Sequence, residues 1–175
     1  MATIVFSTLY HLADTIDNTV LGMTEGNWHR LDNIFAILSF VSVQLYVLDA
    51  TIDSQTMQQV RTGFLLLTVL LQEIGPWRLE CTLIPVLASS AVLAIYLYKN
   101  QPIRASLSRN PEGAFSRAFA LLGLGVMGFV KGLDEDTDWL RIAHGCWHLF
   151  TGLSFYYFAK GLHHVVEEHQ AKRQF

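Results

Sequence analysis

Long apolar runs broken by short polar stretches set the pattern of this chain. Residues 1–13 read as the end of an apolar helix too short to cross a bilayer, since a crossing takes roughly 20 residues. Residues 14–30, rich in Asp, Asn, Thr and Gly, read as a loop. Residues 33–50 are apolar again and long enough to cross. A polar connection over 53–59 leads to the run 60–74, which Gly75-Pro76 should stop. Trp77 then falls where aromatic rings prefer the headgroup level. The next span is 79–98, with Pro85 tolerated inside it. Residues 99–117 are the most basic region. The span 114–130 follows, with Gly123, Gly125 and Gly128 suited to close helix approach. An acidic turn, Asp134 to Asp138, precedes the last span, from Trp139 to about Leu162. The sequence contains no internal repeat. The pattern predicts one all-α transmembrane domain over 1–162 and a polar cytosolic tail over 163–175. Its architecture is a polytopic membrane helix bundle with five full spans plus a truncated first helix.

Composition supports a bilayer as the main solvent. The chain of 175 residues is 51% hydrophobic and only 15% charged, where a soluble domain carries about 25% charged residues. A net charge of -3 gives no electrostatic case for a nucleic-acid partner. Cys81 and Cys146 form neither a disulfide framework nor a CxxC motif and read as core thiols. The apolar start lacks the basic region and small-residue cleavage site of a signal peptide. With loops on alternate sides, Arg61, Lys99, Arg104, Arg109, Arg117, Lys160, Lys172 and Arg173 share one side. These are eight of the 12 basic residues. By the positive-inside rule that side, with the C-terminus, is cytosolic. The acidic loops then face the exterior or a lumen, and plasma membrane and endomembrane both remain open.

Against this topology, a few polar residues stand out. His144 and His148 are four apart, so on a helix they share one face and can reach one metal ion. His11, near the outer end of the first helix, and Asp32, at the outer start of the second, are expected at the same depth. Three neutral imidazoles with an open fourth position are what a catalytic zinc needs. Such a site lowers the pKa of a bound water and makes it a nucleophile. Asp32 could take its proton, and Ser7, one turn before His11, could donate to a developing oxyanion. Each residue also has a plainer use. Intramembrane histidines hydrogen-bond between helices, Asp32 before Asn33-Ile34-Phe35 is a good helix N-cap, and serines back-bond within membrane helices. His29 falls in the loop and receives no role. His163, His164 and His169, with Glu167 and Glu168, read as a solvated helical tail.

Ser7-x3-His11, Asp32 on the next helix and His144-x3-His148 on the last resemble the signature of the CREST superfamily of seven-helix membrane hydrolases. That group includes alkaline ceramidases, adiponectin and progestin receptors, and the myomaker and post-GPI-attachment phospholipase branch. Tyr10-His11, Asp14 and the long interval before Asp32 are most similar to that last branch. Ser7 is closer to the ceramidase pattern. The resemblance implies a seven-helix bundle lacking its leading helix, with Zn2+ held by His11, His144 and His148 and with Asp32 and Ser7 beside it. It also implies hydrolysis of an amide or ester bond in a membrane lipid. The alternative is a non-enzymatic multi-pass protein, a fusion factor of the myomaker kind or a receptor, in which a metal only ties helices together.

Overall fold

The computed structural model describes residues 2–49, 52–109, 111–132 and 142–171. The expected acidic turn from Asp134 to Asp138, the start of the last span at Trp139, and Lys172 and Arg173 lie outside these residues. The described chain is all-α, with seven α-helices: α1 (Ala2–Ile16), α2 (Glu25–Asp49), α3 (Ser54–Ile74), α4 (Leu79–Lys99), α5 (Gln101–Ser108), α6 (Ala114–Gly132) and α7 (Ile142–Ala171). A 3-10 turn, Pro111–Gly113, precedes α6. Among the described residues, three segments are long and apolar enough to cross a membrane: Glu25–Asp49, Leu79–Lys99 and Pro111–Gly132. That makes this a membrane protein. Of the five full spans expected, α3 and α7 are not among the three. α3 carries Gln55, Gln58, Gln59, Arg61, Gln72 and Glu73, and the second half of α7 is polar.

The chain forms two compact units, Met1–Tyr96 and Leu97–Phe175. In the first, α1 packs along α2. Phe6 stacks on Phe35 with ring centroids 4.5 Å apart, and Thr3 reaches Ser39 at 3.1 Å. The polar stretch between these helices is much shorter than expected. α1 runs on to Ile16, and α2 begins at Glu25 rather than near Asn33. Glu25 lies in the first turn, where a carboxylate complements the helix dipole. Val20 and Met23 exchange both backbone hydrogen bonds at 3.0 Å around Leu21 and Gly22, which both have positive φ, 49° and 78°. This is the primed geometry of a tight two-residue turn. Trp28, 5% exposed, closes the turn by donating its indole N–H to the Val20 carbonyl at 3.0 Å. Thus α1 and the start of α2 are tied together at the end where His11 lies.

The expected polar connection over 53–59 is also mostly helix. Asp53 is the N-cap of α3, and its carboxylate accepts from the Thr56 backbone N–H at 2.9 Å. The Thr56 N–H, and secondarily its side chain, hold the Asp53 carboxyl below the usual carboxylate range. A carboxyl depressed on folding stabilises the fold above its unfolded pKa, and that stability is lost as pH falls through the folded value. Asp53→Asn should keep the cap while removing this acid-side loss, read as a flatter dependence of melting temperature on pH below about 4. Gly75 caps the other end of α3, donating to the Leu71 carbonyl at 3.1 Å, as Gly75-Pro76 predicts. Pro85 lies inside α4 and Cys81 is buried.

In the second unit, α6 and α7 pack closely. The Ser154 hydroxyl donates to the Ala118 carbonyl at 2.8 Å. The basic region contains an amphipathic helix that the apolar pattern did not predict, α5, with Ile103 and Ser106 buried. Arg109 joins it to α7, donating to Ser106 Oγ at 2.6 Å and to Glu168. The tail is helical, as expected, and continues α7 to Ala171, but it is not wholly solvated: Val165 and Val166 are buried with Leu162.

Candidate metal centre and its flanking residues

In the second unit, His144 and His148 lie in the first two turns of α7. Their Nε2 atoms are 3.1 Å apart, and their ring centroids are 4.9 Å apart at 67°. Two nitrogens bound to one tetrahedral zinc at 2.0–2.1 Å lie about 3.3 Å apart. The pair therefore already has the separation of one edge of a zinc tetrahedron. A shared proton between the two rings gives the same distance, which is the plainer use of the pair. His144 is half-buried and His148 exposed.

The backbone of α6 sets the height of this pair. A Cβ on Gly128 would sit 2.9 Å from the Ala143 carbonyl oxygen and 3.0 Å from the Trp147 nitrogen. One on Gly132 would sit 3.0 Å from the His144 nitrogen. Only hydrogen at these positions lets α6 come so close to the first turns of α7. Gly125 belongs to the same face, against Thr151. Gly123, expected to share the role, meets nothing within 4 Å. Gly132 lies beyond the apolar span that ends at 130, and its place four residues after Gly128 is the signal that puts it on the same face.

In the first unit, Ser7 and His11 lie one turn apart on α1, both half-buried. Ser7 is hydrogen-bonded through its side chain to Asp32. Asp32 is not the N-cap that Asn33-Ile34-Phe35 suggested. It sits two turns inside α2, because the helix starts at Glu25. An acidic side chain there is not needed by the helix end, so the N-cap role does not apply, and its structural partner is Ser7 on α1. His29, placed by the sequence pattern in a loop, lies one turn before Asp32 on the same helix and is half-buried against Trp77. The i, i+3 spacing to Asp32 was the signal for it, hidden by the misplaced helix start.

An all-α membrane protein with histidines, a carboxylate and a hydroxyl inside its helices is the class these observations define. More narrowly, the chain belongs to the family described as protein of unknown function (DUF3522), whose profile matches residues 1–149. No curated protein and no solved structure matches it.

Proposed function

We propose that this protein is a zinc-dependent intramembrane hydrolase of a lipid amide or ester bond, with His11, His144 and His148 as metal ligands. The observation that carries the reading is the 3.1 Å convergence of the His144 and His148 Nε2 atoms. Zinc held there would polarise the scissile carbonyl and bring the pKa of a water toward neutrality. Asp32 takes the proton released as the water attacks. The Ser7 hydroxyl, hydrogen-bonded to Asp32 at rest, loses a strong acceptor once Asp32 is protonated. It then turns to the developing oxyanion. The similarity to the CREST superfamily supports the same roles. In this reading α3 and α7 cross the membrane along with the three apolar segments, the C-terminus is cytosolic, and the site opens to the exterior or a lumen. The substrate is a membrane lipid drawn from the surrounding bilayer.

Asp32→Asn separates this reading from a metal that merely ties helices together. The variant should keep its zinc and lose about 10²–10⁴ in hydrolysis of ceramide and phospholipid substrates in mixed micelles. Unchanged hydrolysis by the asparagine variant would remove Asp32 from the mechanism. Absence of hydrolysis in the zinc-loaded parent, across both amide and ester lipids, would favour the non-enzymatic alternative.

A further inference from the structure

His29 is the half-buried imidazole that the proposed chemistry does not use. Its ring stacks on Trp77 with centroids 3.7 Å apart and planes 20° apart. Tyr10 lies across the edge of this stack, 4.8 Å from His29 and 6.2 Å from Trp77, and meets His11 at 4.6 Å. The four rings form one continuous ladder within the first unit, and its far end is well anchored. Trp77 follows Gly75-Pro76, whose turn is closed by Arg78 N–H donating to the Gly75 carbonyl at 3.1 Å. Asn33, on α2, donates to the Pro76 carbonyl at 2.8 Å and to Gln72 Oε1 at 3.0 Å. Gln72 is fully buried and donates onward to the Cys81 carbonyl at 3.3 Å. The turn bearing Trp77 is therefore fixed to α2, the helix that carries His29.

His29 Nδ1 is buried and has no hydrogen-bond partner among the described residues. A desolvated nitrogen is a cost to the fold, and a hydrocarbon ring would fill the slot without it. Positions that violate such local rules tend to serve function. A ligating imidazole must be held in one plane by its neighbours, and loss of that outer support typically costs 10–100-fold in metal affinity.

We infer that His29 is a positioning residue for His11, fixing its imidazole through the Trp77–His29–Tyr10 ring ladder. This rests on His11 being a metal ligand. The test uses the full chain in detergent, with Co2+ and Zn2+ affinity measured by competition and His11 ring resonances followed by NMR on histidine-labelled protein. His29→Ala should weaken metal binding about 10–100-fold and shift the His11 resonances as the ring stack is lost. His29→Phe should restore both to the parent values, because it keeps a stacking ring. Trp77→Leu, at a residue 61% exposed and so tolerable to the fold, should move both readouts in the same direction as alanine at 29. Unchanged His11 resonances and affinity in His29→Ala and Trp77→Leu, with the parent binding metal, would overturn the positioning role alone. A parent protein that binds neither ion would overturn the metal reading itself, and this inference with it.

Discussion

His144→Ala should strip the protein of zinc and abolish hydrolysis while leaving the fold in place. Four-ligand zinc sites in small peptides bind with about 10–16 kcal/mol. Removing one imidazole should therefore cost roughly 4 kcal/mol, or about 10³-fold in affinity. At ordinary free-zinc levels, metal content should fall from about one ion per chain to near none. The expectation that the fold survives has a specific basis. The His144 atoms nearest Gly132 are its nitrogen, Cα and Cβ, at 3.0–3.1 Å, and alanine keeps all three. His148 loses its 3.1 Å neighbour but is exposed, so its ring is not left desolvated. Elemental analysis beside a thermal melt checks both halves. Stoichiometric zinc in a well-folded alanine variant would remove His144 from the site.

A second large effect is expected at the glycine face of α6. Gly128→Ala places a methyl group 2.9 Å from one backbone atom and 3.0 Å from another. Backbone cannot step aside as a flexible side chain can, so the two helices must separate. Overpacking of this kind costs about 1–3 kcal/mol. The identical change at Gly123, which meets nothing within 4 Å, should be neutral or stabilise by about 0.5–1 kcal/mol, since alanine is the better helix former. Opposite signs from one substitution five residues apart distinguish helix contact from propensity. Melting temperatures in detergent read the difference. Gly128→Ala should also weaken metal binding, because the contacts it disturbs, Ala143 and Trp147, flank His144 and His148.

Some of this was legible in the sequence. Gly75-Pro76 ended α3 where expected, because the pair leaves the helix little alternative. The i, i+4 spacing of His144 and His148 puts their rings together, whereas the hydrogen bond between Ser7 and Asp32 joins two helices and has no local sequence signal. The errors share a physical cause. Counting apolar residues finds the part of a helix that suits lipid and misses polar turns at its ends. Glu25 and the Asp53 cap start helices well before the apolar runs begin, so the apolar pattern puts His29 in a loop and Asp32 at a helix end. Apolar counting likewise gives no signal for α5, whose buried residues are Ile103 and Ser106, and ends the last apolar span near Leu162 although Val165 and Val166 in the helical tail are also buried. The ring ladder from Trp77 to His11 joins α1, α2 and the turn after α3, and no local pattern encodes such a contact.

The proposed function requires three imidazoles to hold one zinc ion in this protein. Zinc K-edge X-ray absorption on the full chain, purified without chelators, tests it most directly. The expected result is about one zinc per chain with three nitrogen scatterers at 2.0–2.1 Å and one oxygen completing a tetrahedron. A protein free of metal after zinc exposure, or a zinc ion with sulfur or mainly oxygen neighbours, would contradict it.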